Sequence, residues 1–260
     1  MTYPDTLLTA IAAYWNDHIH DLEIAVHPVG TAEFFRELDA YRFDKLRYLP
    51  QVVDFDGYAG QRLLEVGCGV GIDLARFARG GAVVTGIDLS ETAVSLARQN
   101  FAQQGLTGAL QTMNGEALEY DEASFDVVYA HGVLQYTADP ARMVGEIRRV
   151  LRPGGQAIIM VYNRYSWLNA LSKLMKVELE HEDAPVLRKY SSRELRRLLR
   201  PFSAVQIIPE RFPVPTRLHW GLKARLYNTV FVNTFNRLPR PLVRPWGWHL
   251  LAFCTVSVQT

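Results

Sequence analysis

The chain has 260 residues, of which 48% are hydrophobic and 21% are charged, and it contains 18 glycines and 13 prolines. This composition is typical of a globular protein with a sizeable core, so it excludes a disordered chain, a collagen-like chain and a small disulfide scaffold. The formal net charge is +1, but residues 1–60 hold ten acidic and four basic residues, a net of −6, and the chain after Glu210 has seven basic residues and no acidic one. This asymmetry bears on partners and substrates rather than on the fold.

The sequence shows none of the segments that direct a protein into or across a membrane. No stretch reaches the roughly 18 consecutive apolar residues of a membrane span, and Met1 to Tyr14 lacks the basic run of a signal peptide. We therefore expect a cytoplasmic protein. Two cysteines, Cys68 and Cys254, are too few for a disulfide framework and lack metal-ligand spacing, so both are expected to be free thiols.

Residues 1–60 precede the first predicted strand and contain three of the seven histidines, His18, His20 and His27. Their spacing is irregular and no cysteine is nearby, so we do not predict a metal site. We expect hydrogen-bonded histidines on helices, some of which face a ligand.

From residue 62 to residue 163 short apolar runs alternate with helical patterns. Helices are predicted after Asp73, after the N-cap Ser90 and at Asp139-Pro140, and a turn is predicted at 153–155. The predicted strands of this region are 63–66, 82–87, 108–113, 125–130 and 156–162. This alternation predicts a doubly wound α/β architecture with a mostly parallel sheet that helices cover on both faces.

The alternation ends after Asn163. Residues 164–190 and 213–245 are predicted to be insertions, the second with an amphipathic helix around Leu222, Leu226 and Val230. Ser191 and Glu194 form a capping box at the start of a helix. Two further strands, 204–208 and 248–258, bring the predicted total to seven.

Ligands of open parallel sheets bind beyond the carboxyl ends of the strands. The first strand ends in the run Glu65-Val66-Gly67-Cys68-Gly69-Val70-Gly71, whose glycines allow a tight turn close to a ligand. Asp88 ends the second strand about 20 residues later, where a carboxylate accepts hydrogen bonds from ribose hydroxyls. The alternative role of Asp88 is an N-cap, a role that Ser90 already suits.

These residues resemble the class I S-adenosylmethionine-dependent methyltransferases, in particular the small-molecule group similar to the ubiquinone and menaquinone biosynthesis methyltransferases. Three more segments carry the resemblance, which covers about residues 62–163. They are Gly115-Glu116-Ala117, the run from Phe125-Asp126-Val127-Val128 to His131-Gly132-Val133-Leu134-Gln135-Tyr136, and Val150-Leu151-Arg152-Pro153-Gly154-Gly155. Where the family often has two histidines, this chain has Gln135 and Tyr136.

The resemblance implies a Rossmann-like methyltransferase fold and S-adenosylmethionine as cofactor, with S-adenosylhomocysteine as product. It implies that Gly67 and Gly69 lie under the methionine part, that Asp88 and Leu89 form the ribose loop, and that Glu116 stands where an Asp usually touches the adenine. The full set of implied cofactor residues is Glu65, Gly67, Cys68, Gly69, Asp88, Leu89, Gly115, Glu116, Ala117 and His131.

In this fold the residues before the first strand commonly lie over the cofactor, so residues 1–60 are expected to form a helical lid on a methyltransferase domain at 61–260. The two insertions and the lid then form the substrate chamber. Candidates for catalysis are His131 as a base, or as a residue that holds the cofactor, with Tyr136, His18 and Tyr14; His20, Tyr162 and Asn163 also lie near the expected mouth.

The expected reaction is methyl transfer to a small, apolar metabolite, with O-methylation favoured over N- or C-methylation. The basic, tryptophan-containing end of the chain suits the inner membrane surface, a long apolar substrate with an anionic head, an acidic carrier protein or a homodimer contact with the acidic first 60 residues, but not nucleic acid. The alternatives are a protein of the same fold that uses the cofactor for a non-methyl reaction, and a peripheral membrane or scaffold protein with a degenerate site.

Overall fold

The structure, a computed structural model, describes residues 5–176, 179, 181–215 and 221–258. Within these residues seven strands form one sheet in the order β3-β2-β1-β4-β5-β7-β6. The strands are β1 (Arg62–Val66), β2 (Val83–Asp88), β3 (Ala109–Thr112), β4 (Phe125–His131), β5 (Leu151–Tyr162), β6 (Ala204–Glu210) and β7 (His249–Thr255). The predicted doubly wound, mostly parallel seven-stranded sheet is therefore confirmed.

Eleven α-helices are found in the described part of the chain. The helices are α1 (Asp5–Asp17), α2 (Ala32–Lys45), α3 (Leu49–Val52), α4 (Ile72–Arg79), α5 (Glu91–Gln103), α6 (Pro140–Val150), α7 (Trp167–Met175), α8 (Ser192–Leu198), α9 (Leu222–Leu226), α10 (Val232–Arg237) and α11 (Arg240–Val243). A π-helical turn, Tyr227–Phe231, joins α9 to α10, and short 3-10 helices cover Leu22–Ile24 and Arg244–Trp246.

The strand pairing brings several strand ends together at one edge of the sheet. Strands β1 to β5 run parallel, whereas β7 lies antiparallel between β5 and β6. His249, the first residue of β7, is paired with Tyr162 at the end of β5 and with Glu210 at the end of β6. The carboxyl ends of β1, β2, β4, β5 and β6 therefore share an edge with the start of β7.

Helices cover both faces of the sheet because the central strands are apolar on both sides. In β4, Val127 and Tyr129 face one core while Val128 and Ala130 face the other, and all four are buried. Buried parallel strands of this kind read as continuous apolar runs rather than as alternating ones.

Local sequence patterns at helix ends are confirmed. The side chain of Ser90 accepts a hydrogen bond from the N–H of Ala93, and Ser191 and Glu194 form the complete capping box of α8. Both cysteines are free and buried, as expected. Among the described residues no helix is long and apolar enough to cross a membrane.

One strand boundary differs from the structure. Strand β5 begins at Leu151 rather than at residue 156, because Leu151 already pairs with Phe125 and the register then shifts over 153–155, where Gly154 has φ +77°. The helix predicted around Leu222, Leu226 and Val230 is present as α9 and the π-helical turn. These three side chains are exposed, and Phe231 packs on Trp167.

The predicted insertions, 164–190 and 213–245, are described only in part. Residues 177, 178, 180 and 216–220, which include Glu178, Arg217 and Trp220, lie outside the described residues. The described part of the first insertion contains α7 and the segment 181–191, and that of the second contains α9, α10 and α11.

Candidate functional site

A cavity of about 240 Å³ lies over the edge where the strand ends meet. Its walls come from the ends of β1, β2, β4 and β5, from the start of β7 and from α1 and α2, with Leu8, Ile11 and Trp15 contributed by α1. Residues of the predicted lid thus line the same cavity as the sheet edge. The predicted site residues that line it are Glu65, Gly67, Cys68, Gly69, Asp88, Leu89, Gly115, Glu116, His131 and Tyr136.

The turn after β1 forms one side of the cavity. Gly67 and Gly69 have φ +71° and +52°, a region that residues with a side chain rarely adopt. A β-carbon placed on Gly67 would collide with Val133, whereas one placed on Gly69 would have no atom within 4 Å. The backbone at Gly69 therefore faces open space within the cavity.

Asp88 fixes this turn against the end of β2. One carboxylate oxygen accepts a hydrogen bond from the N–H of Gly69 at 2.8 Å, and the other accepts one from the N–H of Ser90 at 2.9 Å. Burial raises the pKa of Asp88 above its ordinary value, and the backbone N–H donors partly offset that rise. Each oxygen retains a lone pair for a ligand in the cavity.

Glu65 supplies a buried acceptor atom that has no hydrogen-bond partner among the described residues. Its Oε2 atom makes no hydrogen bond within the described part of the chain, although the residue is only 3% exposed. Burial and the neighbouring Asp73 carboxylate raise its pKa well above the ordinary value. An unpaired oxygen on a cavity wall is suited to a ligand that donates a hydrogen bond or carries positive charge.

Glu116, which we expected to contact the adenine, makes hydrogen bonds within the wall of the cavity. Its Oε1 atom accepts hydrogen bonds from the hydroxyl of Thr137 and from the N–H groups of Ala138 and Asp139, the latter two at 2.8 and 3.0 Å. This carboxylate therefore ties the turn after β3 to the loop after β4. Ala117 follows in the same turn but does not line the cavity.

His131 ends β4 with both ring nitrogens in contact with other side chains. Its Nδ1 lies 3.2 Å from a guanidinium nitrogen of Arg42, and its Nε2 lies 3.4 Å from the hydroxyl of Tyr48. Burial, helped by the Arg42 charge, lowers the pKa of His131 to about 3, so the ring is neutral at pH 7. Because Arg42 can only donate, Nδ1 accepts and the ring proton is on Nε2.

The other two predicted catalytic residues, Tyr14 on α1 and His18 just after it, do not line the cavity. The Tyr14 hydroxyl donates to Asp183 at 2.8 Å and lies 3.1 Å from Nδ1 of His181, and His18 stacks on the Tyr14 ring. His20 lies 2.8 Å from Nε2 of His181 and does line the cavity. These contacts join the lid to the first insertion.

Several polar cavity residues were not expected from the sequence. Arg42 of α2 forms a buried two-point ion pair with Asp73 of α4, whose carboxylate also accepts from the hydroxyl of Tyr129. Arg211 and His249 lie beyond β6 and at the start of β7 and also line the cavity. No local motif marks these residues, because their partners lie 31 to 201 positions away.

The sequence of this region matches a family model described as a methyltransferase domain, over residues 64–159. Residues 64–159 are therefore similar to a methyltransferase domain. The match begins at β1 and ends in β5, so it contains the glycine turn, Asp88 and His131. Two solved structures of similar fold are named as S-adenosylmethionine-dependent methyltransferases.

Curated relatives support the same assignment. The chain is 32% identical over 120 residues to a ubiquinone biosynthesis O-methyltransferase of Coxiella burnetii. The aligned residues cover 46% of this chain and 50% of that protein. It is 33% identical over 157 residues to the protein of that name from Alkalilimnicola ehrlichii, which covers 56% of this chain and 62% of that protein. The chain thus spans about half the length of the curated relatives it matches.

Solved structures share the fold of the methyltransferase domain and extend beyond it. A possible histamine N-methyltransferase from Thermotoga maritima superposes with a TM-score of 0.56 at 20% identity, covering 85% of this chain and 97% of that chain. A [4+2]-cyclase named SpnF superposes with a TM-score of 0.54 at 20% identity, covering 98% of this chain and 93% of that chain. At these identities the likeness concerns the fold alone.

The cavity fits S-adenosylmethionine, the cofactor that the sequence predicts, by its chemistry. The open space at Gly69 leaves room for a ligand against the backbone, and Asp88 offers its free lone pairs beside that space. The unpaired Oε2 of Glu65 suits the cofactor's ammonium group. Glu65, Gly69 and Asp88 are therefore the residues that would hold the cofactor.

We expect Gly69→Ala to weaken cofactor binding, whereas a matched glycine variant outside the cavity should weaken only the fold. The new methyl group would occupy space that the cofactor needs, and calorimetry with S-adenosylhomocysteine should show a loss of about tenfold or more, the size of one missing good contact. Gly60→Ala is the matched control, because Gly60 has φ +73°, has no atom within 4 Å of a β-carbon and does not line the cavity. Both variants should lose about 1–2 kcal/mol of unfolding free energy from the left-handed backbone, and equal cofactor affinity in the two would contradict the assignment of Gly69.

Proposed function

We propose that this chain is an enzyme that transfers a methyl group from S-adenosylmethionine to a small, mainly apolar molecule, with a hydroxyl oxygen as the favoured acceptor and nitrogen or carbon as alternatives. The observation that carries the proposal is a single cavity with two kinds of wall. The glycine turn and Asp88 line one end, and Met160, Tyr162 and His249 line the other. The names of the curated relatives, which are O-methyltransferases, support oxygen as the acceptor atom.

When bound, the cofactor supplies a sulfonium methyl group, which leaves a neutral thioether after transfer. Much of the rate of such a displacement comes from aligning the acceptor atom with the methyl group and from excluding water. In this cavity, we propose that aromatic side chains exclude water. Trp15 of the lid packs edge-on against Tyr136 at 4.9 Å, and Tyr136 packs against Tyr162 at 6.0 Å between ring centres.

His131 is proposed to position the site rather than to remove a proton. A base works best when its pKa lies near the working pH, and a histidine with a pKa of about 3 binds protons weakly at neutral pH. The ring instead connects Arg42 of the lid to Tyr48. Its neutral form also places no positive charge beside a cationic cofactor.

The experiment that tests the proposed function is a methyl-transfer assay with a radiolabelled donor. Purified protein is incubated with apolar phenols, catechols and amines, and both labelled product and S-adenosylhomocysteine are measured. Transfer to an oxygen acceptor is the expected result. Binding of the cofactor without S-adenosylhomocysteine formation from any acceptor would contradict the proposal.

One alternative keeps the fold and changes the reaction. The similarity to a [4+2]-cyclase extends over 98% of this chain, farther than the matched methyltransferase domain. A non-methyl reaction would consume an acceptor in the presence of the cofactor without forming S-adenosylhomocysteine, so the same assay distinguishes the two.

The expected contact with a membrane surface concerns the second insertion. Its described residues, with the adjoining Trp246, include an apolar-basic surface, which we define as the exposed side chains Leu222, Leu226, Val230, Leu238, Leu242, Trp246, Arg225, Arg237 and Arg244. Apolar and basic residues on one exposed stretch suit the surface of an anionic membrane. We propose that this surface makes a peripheral contact with such a membrane.

We expect the variant with Arg225, Arg237 and Arg244 changed to glutamate to lose sedimentation with phosphatidylglycerol vesicles. Each basic residue near an anionic surface contributes about 1 kcal/mol, so three reversals should reduce partitioning at least a hundredfold. The triple variant Arg36, Arg47 and Arg79 to glutamate, on the lid and α4, is the control and should still sediment. A change in oligomeric mass without a change in sedimentation would assign the surface to a subunit contact instead.

A further inference from the structure

Arg211 stands apart from the other charged residues of the cavity. It follows β6, at the end of the sheet farthest from the cofactor turns, and it lines the cavity together with His249 and Tyr162. Its backbone has φ +63°, which is uncommon for a residue with a side chain. Its carbonyl oxygen accepts hydrogen bonds from the indole N–H of Trp167 at 2.9 Å and from the N–H of Trp248 at 3.2 Å. The backbone is therefore held in this conformation from two sides.

The carboxylates of the cavity are concentrated away from Arg211. Glu65, Asp73, Asp88 and Glu116 follow or adjoin β1, β2 and β3, and Asp21 belongs to the lid. Two of the three cavity cations already have carboxylate partners: Arg42 pairs with Asp73, and Lys45 pairs with Asp21 at 3.0 Å. The cavity thus has an acidic cofactor end and one cation at the opposite end.

The Arg211 guanidinium lacks such a partner in the part of the chain that the structure describes. Its NH1 atom donates to Nε2 of His249 at 3.0 Å, and no described carboxylate lies within 4.0 Å of it. Glu210, its neighbour in sequence, lies 4.0 Å from Arg244. Burial and the Arg211 charge lower the pKa of His249 well below its ordinary value, so this partner is neutral.

A half-buried cation with only a neutral partner is suited to an anionic ligand, because the guanidinium retains free N–H groups in a planar fork that matches a carboxylate. We propose that Arg211 binds a carboxylate group of the acceptor substrate, so that the acceptor is an apolar molecule with an anionic end. The proposal rests on the proposed function, since it places the acceptor at the β5-β7-β6 end of the cavity. Arg211 would orient the acceptor while its reacting atom points toward the cofactor end.

The test compares acids with their neutral amides. The protein is saturated with S-adenosylhomocysteine, and calorimetry measures the binding of 3,4-dihydroxybenzoate, 3-(3,4-dihydroxyphenyl)propanoate and the primary amide of each. We expect at least one acid to bind about tenfold or more tightly than its amide, the effect of one charge-assisted contact. Arg211→Met should abolish this difference, and Arg211→Lys should retain part of it. Equal binding of acid and amide by the wild-type protein, or no binding of either acid, would overturn the proposal.

A second measurement distinguishes the acceptor's carboxylate from that of the cofactor. S-adenosylhomocysteine carries a carboxylate and 5′-methylthioadenosine does not. We expect Arg211→Met to bind both as the wild-type protein does. A tenfold loss for S-adenosylhomocysteine alone would assign Arg211 to the cofactor and overturn the proposal. The melting temperature of each variant shows that the compared proteins are folded.

The outcomes separate this proposal from the proposed function. If the enzyme methylates neutral acceptors and Arg211→Met does so equally well, the proposed methyltransferase function is supported. The proposal that the acceptor carries a carboxylate is then wrong. If an acid binds in a way that depends on Arg211 but no acceptor is methylated, the proposal of an anionic ligand at Arg211 is supported. The proposed methyltransferase function is then wrong.

Discussion

Arg42→Met should lower the unfolding free energy by about 3–5 kcal/mol, the cost of leaving one partner of a buried ion pair alone. The Asp73 carboxylate is 1% exposed and, among the described side chains, would keep the hydroxyl of Tyr129 as a hydrogen-bond donor, with the buried Glu65 nearby. Burial alone would raise the pKa of Asp73, but the guanidinium more than offsets this and holds the pKa below its ordinary value. Chemical denaturation at pH 8 measures the loss.

The pH dependence of this loss has a definite sign. Without Arg42 the pKa of Asp73 should rise above its unfolded value, so the variant should regain stability as the pH falls toward 5. The wild-type protein, whose Asp73 pKa is lowered, gains nothing over that range from this group. The difference between the two proteins should therefore be smaller at pH 5 than at pH 8.

The matched control lies on the same helix. Arg36 pairs with Glu33 on the surface of α2, with side chains 70% and 46% exposed, and Arg36→Met should cost less than about 1 kcal/mol. Arg42→Met combined with Asp73→Asn should recover part of the loss, because no buried charge then remains unpaired. A loss as small as that of Arg36→Met would contradict the role assigned to the buried pair.

Asp88→Ala should weaken the binding of S-adenosylhomocysteine by about 1–3 kcal/mol, which corresponds to roughly 5- to 150-fold in Kd. The ligand would lose a charged acceptor, and the N–H of Gly69 would lose the oxygen that holds the turn in place. Isothermal titration calorimetry measures the affinity, and unchanged affinity would remove Asp88 from the binding site.

Asp139→Ala is the control for Asp88→Ala. Asp139 also accepts from two backbone N–H groups, those of Ala141 and Arg142 at 3.0 Å each, but it does not line the cavity. Its loss as an N-cap should cost about 1 kcal/mol of stability and leave the cofactor affinity unchanged. The comparison separates loss of a ligand contact from loss of a structural carboxylate.

The cofactor end of the cavity was predictable because its determinants are local. Gly67, Gly69 and Asp88 follow two consecutive apolar strands, and a parallel sheet brings the ends of such strands together. The seven strands were predictable for a similar reason, since buried strands appear as apolar runs between helical patterns. The capping residue Ser90 and the Ser191–Glu194 box required only neighbouring residues to be interpreted correctly.

The contacts of Arg42, Arg211 and His249 were not predictable, because their partners come from separate parts of the chain. Arg211 meets His249 and Arg42 meets His131 only after the sheet has formed. The sequence indicated a helix around Leu222 and Leu226, but the packing of Phe231 on Trp167 could not be read from it. Hydrophobic periodicity alone does not show which partner a helix face packs against.

The strand order divides the cavity walls between two kinds of segment. The glycine turn and Asp88 come from two consecutive strand ends within residues 62–88, whereas Tyr162, Arg211 and His249, which line the proposed acceptor end, come from segments that flank the insertions. Mutations, insertions or deletions in the latter can therefore reshape acceptor specificity while the glycine turn and Asp88 stay untouched. Such a division makes new substrates accessible by gradual evolutionary change, and it marks residues 211 and 249 as starting points for altering specificity by directed evolution.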